Sequence, residues 1–364
     1  MKLGIVGLPN VGKSTLFNAL TKSKVEAANY QFSTKEANVG VVTVPDERLK
    51  VLHEMYNSKK TVYTSTEFCD IAGLVRGASK GEGLGNKFLG HIRQATALVH
   101  VVRCFEDENI VHVGDKLDPA ADIETINLEL ILSDMETLEK RIEKTQKAMK
   151  GDKTLQGELD ILNKVMGILE NGVCVRAAEL NDDEAAFVRT LELLSHKPVI
   201  YAANVSEKDI SGSSENELVR IITDLAASES TEAIVLCAKI EAEVSEFDDE
   251  EKNAFLMELG INESGLDRLI KASYRILNLI SFLTAGEKEV RAWTIRNGTN
   301  ARAAAGKIHS DIERGFIRAE TIAYDKLKEC GGNLAFAKEK GLIRAEGKEY
   351  IVKDGDVMNF LFNV

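Results

Sequence analysis

Residues 7 to 15 read GLPNVGKST, with glycines at positions 7 and 12 followed directly by Lys13 and Ser14. The spacing G-x-x-x-x-G-K-[ST] suits chemistry on phosphate. A glycine-rich turn between a strand and a helix aims several backbone N–H groups at one point, and the helix dipole adds positive potential there. Lys13 can reach the outer phosphates of a nucleotide, and the Ser14 hydroxyl can ligate Mg²⁺. Pro9, Asn10, Val11, Gly12 and Thr15 complete the expected phosphate lining. Gly7 and Gly12 permit backbone angles and approaches that a β-carbon would obstruct.

A second string, FCDIAGL, places Asp70 and Gly73 in a D-x-x-G arrangement. After a strand, Asp70 would hold a metal-bound water, and the Gly73 N–H would meet the third phosphate. The remaining metal oxygen is expected from NYQFSTKEANVG, where Thr34 is the best candidate. Ser14, Thr34 and Asp70 are thus the expected Mg²⁺ residues. The stretch GLVRGASKGEGLGNKFL, with glycines at 77, 81, 83 and 85, is pliable enough to be ordered by the third phosphate and released on hydrolysis.

Base recognition departs from the guanine pattern N-K-x-D, in which the aspartate accepts two hydrogen bonds from guanine. The corresponding segment is NVSE: Asn204, Val205, Ser206 and Glu207. Valine replaces the lysine, and the longer glutamate replaces the aspartate. A site built for bidentate bonding discriminates strongly, so its loss relaxes or inverts the preference. Asn204, Val205 and Glu207, with Cys237, Ala238 and Lys239 of a later CAK segment, can still line a purine pocket, and ATP is expected over GTP.

The elements that must position these residues form an α/β pattern. Strand-like runs at Lys2–Val6, Val39–Val44, Thr66–Ile71, Ala97–Phe105, Pro198–Asn204 and Ala233–Ala238 alternate with helical stretches. The pattern predicts a doubly wound, mostly parallel sheet. Between its halves, Leu128, Ile131, Met135, Leu138, Ile142, Thr145 and Met149 form one heptad series. Leu155, Leu159, Leu162, Met166, Leu169 and Val173 form another after KGDK. Two such seams predict an antiparallel helical hairpin. It either packs back on the domain or projects; dense charge outside the seams favours projection. From about Thr284 the pattern changes to a small α+β domain. In it EVRAWTI reads as strand, DKLKECGGNLAFAKEKG contains short helix, and EYIVKDGDVMNFLF reads as a hairpin about Asp-Gly.

The net charge of −12 over 364 residues argues against a globally basic nucleic-acid binder. The stretch from Glu287 onward is slightly basic, so any approach to nucleic acid through charge is expected there; no DNA partner is expected. The five cysteines are scattered without a CxxC pair, so neither a disulfide framework nor a zinc site follows. Reduced thiols in the cytoplasm are the plain reading. No apolar run has the length of a membrane span.

Together, GLPNVGKSTLFNALT, DIAGLVRGASKGEGLGNKFL, NVSEKD, AWTIRNGT and GKIHSDIERGFIRAE resemble the signatures of Obg-like ATPases of the YchF subfamily, among the translation-factor-related P-loop NTPases. The resemblance runs nearly end to end. It implies an OBG-type nucleotide domain over 1–121 and 196–283, an inserted helical hairpin over 122–195, and a β-grasp TGS domain over 284–364. It also implies preference for ATP, dependence on Mg²⁺, and association with the ribosome, including the large subunit and its RNA. Gln31, Lys35 and Ala37 depart from the family's usual text around Thr34. Leu74 stands after D-x-x-G, where many relatives carry a water-orienting glutamine. The resemblance assigns that task to His112, in the loop EDENIVHVGDK; by itself, a lone loop histidine would more often be a solvated bystander. Lys13 and Gly73 are the other expected catalytic groups. Asn10 matches the position that ligates potassium in some relatives, or it only braces the loop. Three functions remain open at this point: an ATPase switch on ribosomes, an Obg-class GTPase in ribosome assembly, and a nucleotide-gated binder with incidental turnover.

Overall fold

A computed structural model describes residues 1–22, 38–72, 84–107, 117–211 and 216–363. They divide into two compact units, residues 1–42 with 67–273, and residues 43–66 with 274–364.

The first unit is built on a sheet in the order β2-β4-β1-β5-β6-β7. Its strands are β1 (Lys2–Val6), β2 (Val39–Thr43), β4 (Ser65–Asp70), β5 (Ala97–Arg103), β6 (Val199–Asn204) and β7 (Ala233–Leu236). From β4 across to β7 every neighbouring pair is parallel. Every residue of β5 and β6 is buried, as expected where helices cover both faces and the sequence runs continuously apolar. The helices include α1 (Lys13–Lys22), α3 (Leu84–Gln94), α7 (Glu217–Ser228), α8 (Ala238–Val244) and α10 (Gly265–Ile276). The expected doubly wound sheet is therefore present.

The hairpin is α4 (Pro119–Met149) and α5 (Gln156–Glu170). Asp118 caps α4 by accepting from the Ala121 N–H, and Pro119 starts it where a missing N–H costs nothing. The first half of α4 is core: Ile123, Ile126 and Leu130 are buried, and the helix packs on β5 and α7. Beyond it, Ile131 and Leu138 meet Leu162, Val165 and Leu169 in the seam. Two residues leave the expected seam, since Leu128 and Val173 are exposed. A straight helix turns every 3.6 residues, so a strict 3-4 series drifts off one face by about 20° per heptad. At Leu128 the buried face has already rotated towards the sheet.

The second unit carries a sheet in the order β11-β10-β12-β8-β9-β3. The strands are β3 (Thr61–Val62), β8 (Leu279–Thr284), β9 (Val290–Arg296), β10 (Phe316–Ala323), β11 (Arg344–Glu346) and β12 (Asp356–Phe362). Residues 43–66, read from the sequence as part of the nucleotide domain, lie in this unit instead. Their helix α2 (Glu47–Tyr56) buries Leu49 and Leu52 completely against Leu283, Val290, Ile322 and Leu327. Burying that apolar face is what draws the segment away from its neighbours in sequence. The hairpin expected about Asp354-Gly355 also differs. The turn is there, with Gly355 at φ +80, but β12 pairs with β10 and β8. On the other arm Ile351 makes only a bridge to Asn300. The Asp354 carboxylate accepts from the Ser281 N–H and from Arg48, which ties the turn to β8 and to the start of α2 rather than to a returning strand. No helix among the described residues is long and apolar enough to cross a membrane.

Candidate functional site

The phosphate loop connects the buried end of β1 to α1. Asn10 has φ 65 and Gly12 has φ +92, so the chain turns left-handed on either side of Val11. A β-carbon on Gly12 would come within 2.3 Å of the Asn204 amide nitrogen, and one on Gly7 within 2.7 Å of the Val101 carbonyl oxygen. Both glycines are therefore required by close approach. Pro9, Asn10, Ser14 and Thr15 are exposed, whereas Val11 is buried as the loop's anchor. No acidic side chain occupies the first turn of α1, which leaves its positive end open to an anion.

Asn204 holds this loop in place. Its amide donates to the Val11 carbonyl at 2.9 Å, and its side-chain oxygen accepts from the Ala238 N–H at 2.9 Å. It is almost wholly buried at the end of β6. Its side chain therefore straps the phosphate loop to the start of α8 instead of presenting itself to a base. Val205 is likewise buried, and its N–H bonds to the Leu236 carbonyl. The Asn204 strap could be read from the sequence only as a purine-pocket residue, because its two partners lie far away in the chain.

Asp70 ends β4, level with Ile5 of β1, and the Lys13 ammonium donates to its carboxylate. Ser14 and Asp70 offer hard oxygen donors. Such donors fit Mg²⁺, which takes one or two protein oxygens and fills its octahedron with phosphates and water. Thr34, Gly73 and His112 lie outside the described residues. Arg103, missed in the sequence reading, is buried at the end of β5. It donates to the Phe105 carbonyl at 2.9 Å and covers the Phe105 ring at 4.7 Å. It thereby fixes the backbone leading towards the segment with His112. A charge interrupting the apolar run ALVHVVRCF was the available signal.

At the other end, Glu207 and Lys239 are exposed and paired at 2.9 Å. The hydrogen bond to Glu207 raises the Lys239 pKa above its ordinary value. Beneath them Cys237 and Ala238 are buried, and burial pushes the Cys237 thiol up.

Residues 2–150 match the family model described as "50S ribosome-binding GTPase". Residues 279–363 match the YchF GTPase C-terminal model, described as "Protein of unknown function (DUF933)". The chain is 59% identical over 362 residues to the "Ribosome-binding ATPase YchF" of Bacillus subtilis (strain 168), covering 99% of each chain. It is 54% identical over 364 residues to the protein of the same name in Escherichia coli O157:H7, covering 100% of this chain and 99% of that one. This chain belongs to the YchF family of P-loop NTPases. The solved structure of the Schizosaccharomyces pombe YchF GTPase superposes with a TM-score of 0.88 at 38% identity, covering 99% of this chain and 97% of that one. In this chain the loop strapped by Asn204 joins β1 to α1, and the Glu207–Lys239 pair joins the NVSE and CAK segments.

Proposed function

We propose that this chain is a Mg²⁺-dependent ATPase that takes ATP in preference to GTP and acts as a nucleotide-controlled switch on the ribosome, modulating translation. The observation that carries the base preference is the Glu207–Lys239 pair. A guanine site needs a carboxylate free to accept from two N–H groups of the base, and Glu207 is engaged by Lys239. The ribosome reading rests on the relatives' printed names and on the family model over residues 2–150. On this reading Lys13 neutralises charge on the outer phosphates, while Ser14, Thr34 and Asp70 hold the metal. Mg²⁺, when bound, would neutralise phosphate charge. The Gly73 N–H would contact the third phosphate, and His112 would orient water. Potassium at Asn10, contacts with the large subunit and its RNA, and a cytoplasmic location belong to the same proposal, as does the division into OBG-type, hairpin and TGS regions.

A competition titration tests it: a fluorescent ATP analogue bound to the protein is displaced by ATP or by GTP. ATP should compete at lower concentration. A clear advantage for GTP would overturn the base assignment and favour a GTPase, the activity in the description of the family model and of the fission-yeast structure.

A further inference from the structure

At the base of the hairpin, away from the phosphate loop, the first unit carries an apolar groove of ≈ 870 Å³ between α4, the turn after α5, and α7. Its floor includes the buried Ile123, Ile131 and Cys174. Three large apolar side chains stand around it, one from each wall: Leu128 at 49% exposed, Val173 at 40% and Ile221 at 41%. Isolated exposed apolar residues are ordinary, but a cluster around one concavity marks a contact surface. The floor is held rigidly. Arg176 donates to Asn127 of α4 at 2.8 Å, to Tyr201 of β6 at 3.3 Å and to Glu229 at the end of α7 at 3.0 Å. A groove tied on three sides loses little freedom when it is filled.

The charge of the lining selects the occupant. Glu124 and Asp224 are exposed in it, Glu229 is neutralised by Arg176, and among the described residues that line it there is no Lys, Arg or His. An RNA backbone would meet like charge and apolar walls. A helix with a basic border and an apolar face would meet complementary charge and an apolar surface. We propose that this groove docks a basic amphipathic helix of a protein partner. Its apolar residues would rest on Leu128, Val173 and Ile221, and its Lys or Arg residues would face Glu124 and Asp224. The site is independent of the nucleotide reading.

The test is fluorescence anisotropy with the full chain and a labelled synthetic helix bearing Leu at i, i+3, i+4 and i+7. One version carries lysine borders and a second carries glutamate borders. The lysine-bordered helix should bind and the glutamate-bordered one should not. The double substitution Leu128→Ser with Ile221→Ser should weaken binding about tenfold or more, with basal nucleotide turnover unchanged. Glu124→Lys with Asp224→Lys should reverse the preference between the two helices. Failure of the unaltered chain to bind either helix would overturn the proposal. So would equal binding of both, or no change on substitution. If sedimentation showed a dimer that L128S/I221S dissociates, a second copy would be the occupant. If an RNA oligonucleotide displaced the lysine-bordered helix from this groove, RNA would be. Either result also overturns it.

Discussion

At the phosphate end of the nucleotide site the contacts are made by backbone and by buried side chains. Gly12 and Gly7 admit close approach, Val11 is buried, and Asn204 straps the loop from beneath. At the base end, two exposed side chains, Glu207 and Lys239, meet in solvent above a buried floor. The phosphate end leaves little room for substitution, because its glycines and its strap are interlocked. The proposed base end is a pair of surface side chains, whose replacement would leave the buried floor intact. On the proposed assignment, phosphate binding is the fixed property of this architecture, and base preference is the adjustable one.

The largest expected effect lies at the fixed end. Lys13→Ala removes the ammonium that reaches Asp70 here and the phosphates in the proposed complex. Turnover should fall by about 10³-fold, since phosphoryl transfer depends on charge stabilisation. A single-turnover rate within about tenfold of the unaltered protein would show that the phosphate end is not where the chemistry is stabilised. Asn204→Ala comes next. It leaves the Val11 carbonyl and the Ala238 N–H without partners in a buried site, a loss of about 1–3 kcal/mol in stability. Thermal melting measures that loss, and titration should show ATP and GTP weakened alike. A loss confined to one nucleotide would mean that Asn204 reads the base after all.

A smaller effect is expected at the adjustable end. Glu207→Asp combined with Lys239→Ala shortens the carboxylate and releases it. The ATP-to-GTP affinity ratio should move towards GTP by about tenfold, with melting unchanged because an exposed pair contributes little to stability. An unaltered ratio would place the base elsewhere and dissolve the comparison.

How far the sequence revealed this arrangement follows the same division between local and distant contacts. The phosphate loop is one continuous string whose strand, turn and helix are neighbours in sequence, so it was legible from the spacing of its glycines, lysine and serine. The buried strands were legible too, because β5 and β6 are apolar at nearly every position. Residues 43–66 were not. The face of α2 carrying Leu49 and Leu52 finds its partners in residues more than two hundred positions away, and no local pattern names them. Leu128 was misplaced in the seam because the heptad series takes no account of the drift of a straight helix. The Asp-Gly turn at 354–355 was recognised, but its acid reaches across to Ser281 and Arg48, and those contacts decide which strands pair.

The smallest effect tests the floor of the adjustable end. Cys237 precedes Ala238 and Lys239 in the CAK segment and is almost fully buried, which shields its thiol from reagents, and burial raises its pKa. Cys69, one residue before Asp70, is only half-buried. A maleimide reagent should therefore modify Cys69 well before Cys237, as peptide mass mapping over time would show. Modification of Cys237 at a comparable rate would mean that the base end opens down to its core. In that case its preference for a nucleotide would depend on the motion of α8 as well as on the two side chains at its rim.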